Sequence, residues 1–135
     1  MARRPPPRYT ARMPTLVLVM TGGALGAGAR YGVGRALEGL LAQGWPWPTL
    51  AINVAGGFLM GLLAATLARG AAGENTRLAL GVGVLGGFTT FSAFSLETVS
   101  LIARGQVTAA LAYIAASVLG ALAALYAGQA LGTAL

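Results

Sequence analysis

Apolar residues crowd this chain into four long stretches, at about 14–41, 48–68, 77–103 and 106–133, parted by short polar or proline-bearing breaks. Each is at or above the roughly 20 residues that cross a bilayer as a helix. The first break holds Trp45-Pro46-Trp47-Pro48, which stops a helix and sets two indole rings at headgroup depth. Gly70 to Asn75 forms the second turn and Arg104-Gly105-Gln106 the third. Connections this short force successive helices to run antiparallel. The pattern predicts an all-α membrane protein: one four-helix transmembrane domain over 14–135 behind a basic, Pro-rich, disordered tail, 1–13. The tail, the first apolar run and Ala27-Gly28-Ala29 have the layout of a cleaved signal sequence. The helical period runs on past that site to Leu41, which makes the stretch the first helix of the bundle.

The third stretch departs from the others. Its middle reads Gly86-Gly87-Phe88-Thr89-Thr90-Phe91-Ser92-Ala93-Phe94-Ser95, where glycines and threonines weaken helix propensity at the depth of the bilayer centre. A break is expected near 86–90. Irregular backbone at that depth is tolerated only when buried in protein or lining a polar cavity, so this stretch is the candidate site. After the break, Phe88, Phe91 and Phe94 recur every three residues and are expected on one helical face. Glycine pairs four apart mark every stretch: Gly22/Gly26, Gly28/Gly32, Gly57/Gly61, Gly83/Gly87 and Gly128/Gly132. They predict close helix packing, within a subunit and between subunits. Gly81-Val82-Gly83-Val84-Leu85-Gly86 matches a dinucleotide fingerprint in spacing but has no preceding strand, and is set aside.

Composition narrows the chemistry. The chain has no Cys, His, Asp or Lys, and its three carboxylates are Glu38, Glu74 and Glu97. Thiol chemistry, imidazole bases and the usual zinc sets are excluded, so an enzyme is not expected. The net charge of +6 is all arginine. Four arginines lie in the tail and the rest near segment ends, which suits orientation in a membrane and not nucleic-acid binding. With the tail on the cytoplasmic side, that side holds the tail arginines plus Arg69 and Arg77, against Arg30, Arg35 and Arg104. A start at Met13 would leave two against three. The core thus carries almost no orienting bias, which predicts insertion both ways round.

Few polar residues lie deep in the stretches. Asn53, mid-way along the second, is costly in lipid unless its amide is paired, by a helix–helix bond or as a donor to a pore. Tyr113 and Ser117 share a face one turn apart on the fourth, and Arg30 sits within the first. Glu97 has no cationic partner three or four residues away. Amide and hydroxyl donors, with positive charge at the mouth, favour an anion over a cation. Phenyl rings have positive edges, so Phe91 and Phe94 could touch a small anion edge-on.

Gly22-Gly23-Ala24-Leu25-Gly26-Ala27, Ala29-Arg30-Tyr31, Thr49-Leu50-Ala51-Ile52-Asn53 and the run from Gly86 to Glu97 together resemble the CrcB or Fluc family of small microbial fluoride channels, over nearly the whole length beyond the tail. The resemblance implies an antiparallel, dual-topology homodimer of four-helix subunits in the inner membrane. Two fluoride pathways would run beside its two-fold axis. It implies that Phe91 and Phe94 line them and that Asn53 is a fluoride donor. Tyr113 and Ser117 would form a polar track, Ser92 and Glu97 a relay, and Arg30 would stand near a vestibule. Backbone carbonyls of Gly86 and Thr89 from both subunits would hold a structural Na+, with no catalytic cofactor. Two positions depart from the family pattern: Ala93, where many relatives carry Thr, and Ala121, polar in some. Passive efflux of fluoride, driven by membrane potential, is the expected function. Two rivals remain at this point. A dual-topology multidrug exporter wants a carboxylate deep in the first stretch, which has only Glu38 near its end; a non-transporting structural subunit predicts no flux.

Overall fold

The computed structural model describes residues 12–39, 41 and 44–135, with side chains from Pro14 onward. The expected tail therefore falls almost wholly outside the described residues, and its disorder is not addressed. Helix α1 spans Arg12–Glu38, α2 Trp47–Ala68, α3 Glu74–Thr76, α4 Gly86–Phe88, α5 Phe91–Ala103 and α6 Val107–Ala134. Between α3 and α4 the chain winds as a π-helix over Arg77–Leu85, a wide coil otherwise met mostly as single turns. Among the described residues there is no strand. Four stretches are long and apolar enough to cross a membrane: Pro14–Glu38, Trp47–Ala68, Glu74–Ala103 and Val107–Ala134.

The ends follow local chemistry. Helix α1 stops at Glu38, short of the expected Leu41, and Gly39 turns away. Pro46 is the N-cap of α2 and Pro48 sits in its first turn, where a missing N–H costs nothing. Helices α2 and α5 close alike. Gly70 (φ 71°) and Gly105 (φ 75°) take the left-handed conformation that glycine adopts freely. The next residue's N–H then reaches back, Ala71 to the Thr66 carbonyl (3.1 Å) and Gln106 to that of Leu101 (2.9 Å). The third span starts at Glu74, inside the expected turn, and its first turn is held by Arg77 on both Glu74 carboxylate oxygens (2.8 and 2.7 Å).

Glycine contacts pair the helices. A side chain at Gly83 would meet the Gly22 Cα at 3.0 Å, and one at Gly26 would strike the Val84 carbonyl, so α1 lies backbone to backbone on the π-helix. Helices α2 and α6 do the same: Gly57 faces the Ala121 carbonyl at 2.7 Å, Gly61 that of Leu125, and Gly128 that of Phe58. Lipid supplies no hydrophobic drive between helices, so such close approach is what binds them. Gly28 and Gly32 are different, with open space where a side chain would stand. A small apolar core of Leu101, Ala110 and Tyr113 ties α5 to α6, with Trp45, Leu50 and Phe94 packed on it.

The interruption of the third span corrects the sequence reading at the aromatic residues. Within the expected stretch 86–90, Gly86 and Gly87 are helical and the chain leaves the helix at its threonines, Thr89 (φ −79°, ψ 157°) and Thr90 (φ −150°, ψ 117°). Glycine at 87 serves close packing instead, because a side chain there would run into the Gly23 carbonyl. Phe88 consequently lies before the interruption and Phe91 and Phe94 after it, so the three rings do not share one helical face.

Candidate functional site

Two extended residues expose backbone groups that a helix would satisfy, and Asn53 takes them. Its Oδ1 accepts from the Thr90 N–H at 2.8 Å and its Nδ2 donates to the Thr90 carbonyl at 3.0 Å. One side chain on α2 thus pairs both backbone polar groups of a residue 37 positions away. The helix–helix bond expected of a buried amide is made, and the second Nδ2 hydrogen has no partner among the described residues. Thr89 Oγ1 donates back to the Leu85 carbonyl at 2.9 Å, ending α4. Thr90 caps α5, its Oγ1 accepting from the Ala93 N–H at 3.2 Å and lying 3.2 Å from Ser92 Oγ.

Two cavities meet at this point. The first, about 570 Å³, is lined by Arg30, Tyr31, Glu38, Trp45, Glu97 and Ala93 among others. The second, about 440 Å³, is mostly apolar and is lined by Asn53, Phe91, Phe94, Ser117 and Ala121 with leucines of α6. Thr90 lines both. Ser117 is buried, and its Oγ has no hydrogen-bond partner among the described residues. Bare polar atoms are rare in protein interiors and call for a ligand or water. Phe91, by contrast, is 78% exposed.

Behind the first cavity stands a carboxylate with both oxygens engaged. Thr49 Oγ1 donates to Glu97 Oε1 at 2.7 Å and the Tyr113 hydroxyl donates to Oε2 at 2.6 Å. Hydroxyls are therefore the answer to the missing cation. Tyr113 is fully buried and passes packing onward: Phe91, Phe94, Tyr113 and Trp45 form a chain of rings with centroids 5.4, 5.3 and 5.6 Å apart. Spacings of this size are those of favourable offset and edge contacts. Arg30 does not stretch to the helix end; its Nε donates to the Gly87 carbonyl at 3.1 Å, tying α1 to α4 beside the interruption.

Of the residues singled out from sequence, Asn53, Phe91, Phe94 and Ser117 gather round the second cavity and Arg30 and Glu97 round the first. Ser92 is exposed next to Thr90, and Tyr113 lines neither cavity, reaching the site only through Glu97. Gly86 is helical, and the Thr89 backbone is turned out of the helix. Sequence reasoning gave no role of their own to Thr49 and Thr90. The available signal for Thr49 was its position one turn before Asn53 on the same helix face.

The chain matches the family described as "CrcB-like protein, Camphor Resistance (CrcB)" over residues 17–129. It is 54% identical over 118 residues to a protein of Sphingopyxis alaskensis, covering 87% of this chain and 94% of the relative. A relative from Phenylobacterium zucineum is 57% identical (86% and 93% covered), and one from Paracoccus denitrificans 51% (90% and 96%). All three bear the name "Fluoride-specific ion channel FluC".

Proposed function

The chain belongs to the CrcB-like family, and from that membership we propose that it is a passive, fluoride-selective channel that lets cytoplasmic fluoride out of the cell. The observation that carries the reading is the second cavity. Asn53 and Ser117 line it beside Phe91 and Phe94, and the buried Ser117 hydroxyl has no hydrogen-bond partner among the described residues. Hydroxyl and amide donors suit a small anion, and ring edges add weakly positive walls. Fluoride enters acidic surroundings as the neutral acid and ionises inside, and an inside-negative potential drives the anion out. No catalytic step enters this reading.

The working unit is an antiparallel homodimer in the inner membrane. Three features support it: near balance of arginines about the core, open space beside Gly28 and Gly32, and the exposure of Phe91, a ring that a second copy would cover. The interruption at Thr89 and Thr90 lies mid-membrane in this assembly. Carbonyls of Gly86 and Thr89 from both copies would hold a structural Na+. The donor set fits, because a hard monovalent cation takes neutral oxygens and the extended Thr89 turns its carbonyl away from the helix while its N–H stays bonded to the Leu85 carbonyl. When bound, the ion would supply a fixed positive charge that fastens the two interruptions together. The exporter reading finds no support, since Glu38 is in the last turn of α1 and lies 3.5 Å from Arg35.

The test is fluoride efflux from liposomes holding the purified protein, with chloride flux in parallel. Fast, voltage-driven fluoride release with little chloride leak, lost in Phe91→Ile, is expected. Folded protein that releases no fluoride refutes the reading.

A further inference from the structure

Thr90 is the residue that the two cavities share, and nearly every polar group it owns is already committed. Its N–H and carbonyl are held by Asn53. Its hydroxyl oxygen has two lone pairs and one proton. The Ala93 N–H occupies one lone pair. The contact to Ser92 Oγ can run in either direction. When Ser92 donates, the second lone pair is filled and only the Thr90 proton is left.

We infer that the Thr90 hydroxyl is the fluoride-contacting donor at the junction of the two cavities, and that Ser92 is the positioning residue that frees its proton for the ion. The inference rests on the fluoride-channel reading above. A hydroxyl with both lone pairs filled can donate and cannot accept, so it offers an anion a partner and a cation none. As the ion leaves, the Thr90–Ser92 bond can reverse by rotation of the two hydroxyls, so that Thr90 donates to Ser92 Oγ and no proton changes its oxygen. Both hydroxyls then keep a partner, and the proton left unpaired is that of the exposed Ser92, not that of the half-buried Thr90. The arrangement also bears on Ala93, which lines the first cavity with a methyl group and has no hydroxyl to give. Thr90, three residues earlier and capping the same turn, supplies the donor from the backbone side.

The experiment uses the full chain in liposomes, with efflux read by a fluoride electrode over a range of internal fluoride concentrations. Wild-type protein must first conduct; failure there refutes the channel reading itself and is distinguishable from any failure at Thr90. Thr90→Val keeps the branched shape and removes the proton. Losing one hydrogen bond to a charged group, it is expected to slow efflux by about 10- to 100-fold and to raise the half-saturating fluoride concentration. Thr90→Ser restores the donor and is expected to run close to the wild-type rate. Ser92→Ala leaves the cap of α5 intact and is expected to slow efflux, with Ser92→Thr recovering it; this pair decides the matter if Thr90→Val does not fold. Thr90→Val conducting like wild type, or Thr90→Ser failing as badly as Thr90→Val in folded protein, overturns the inference. Ser92→Ala with an unchanged rate and half-saturation overturns the role given to Ser92.

Discussion

At the scale of single residues, one amide does two jobs that chemistry keeps separable. Asn53 holds the Thr90 peptide through Oδ1 and one Nδ2 hydrogen and keeps the other hydrogen for the second cavity. Asn53→Leu removes all three. Thr90 is then left with an unpaired N–H and carbonyl in a partly buried place, at a cost of about 1–3 kcal/mol for each. Thermal unfolding in detergent should show the loss as a lower Tm, alongside fluoride efflux reduced to background. Asn53→Asp separates the jobs. It still accepts from the Thr90 N–H, but its second oxygen faces the Thr90 carbonyl and its charge faces the anion, so conduction should fall further than stability. Tyr113→Phe makes the complementary case. The ring keeps its place between Phe94 and Trp45, while Glu97 loses one of its two hydroxyl donors. The expected cost is about 1 kcal/mol, read from the same melts. A melt unchanged from wild type would mean that the hydroxyl adds nothing to the fold. The need of Asn53 for partners was legible in the sequence, because an amide in an apolar stretch must be satisfied. Its actual partner was not. Thr90 lies on another helix, and only the tertiary fold brings its peptide within reach.

At the scale of elements, the glycine spacing was the most legible feature, and its meaning divides by position. Gly57 and Gly61 on α2 meet carbonyls of α6, while Gly28 and Gly32 on α1 meet nothing within the chain. Gly61→Ala should therefore overpack the α2–α6 contact against the Leu125 carbonyl and destabilise the fold by about 1–3 kcal/mol. Gly28→Ala should leave the melting of the single chain unchanged. Any loss it causes should appear in the sedimentation of the assembled protein, where a second copy would fill that space. Equal, large destabilisation by both would contradict the packing described here. The four spans were readable from apolar runs, and the closing turns from Gly70 and Gly105. The interruption was readable only roughly. Propensity marked the glycines and threonines of 86–90 alike, and tertiary contact of Gly87 with α1 goes with a helical backbone there. The chain opens instead at two β-branched residues whose freed backbone groups Asn53 can cap. Propensity is overruled where a neighbour supplies the missing bonds.

At the scale of the whole molecule, the question is which way the bundle faces. Four antiparallel spans put the turn between α2 and α3 on the side of the α1 N-terminus, and the other two connections opposite. The cavities agree with that division. One is shared by Gly44, Trp45 and Arg104, and another by Arg69 with Gln129 and Thr133 near the end of α6. Arg69 and Arg77 mark the first side, and Arg30, Arg35 and Arg104 the second, with the Arg30 Nε held by the Gly87 carbonyl. Apart from the tail arginines the core stands at two against three, an imbalance too small to give the insertion machinery a firm preference, since orientation follows the imbalance of Lys and Arg near the spans. The chain has no cysteine, so a single reporter can be placed cleanly. Ala71→Cys, exposed in the α2–α3 turn, should react with a membrane-impermeant thiol reagent in intact cells for only part of the population. The remainder should react after the membrane is opened. Two arginines added to the same turn should move that side to the cytoplasm and abolish labelling from outside. Because the two pathways of an antiparallel dimer need both orientations, the biased chain alone should lose fluoride efflux. Co-expression with a chain biased the opposite way, by arginines beside Arg104, should bring it back. Full activity from either biased chain alone would show that one orientation suffices and would remove the antiparallel dimer from the reading.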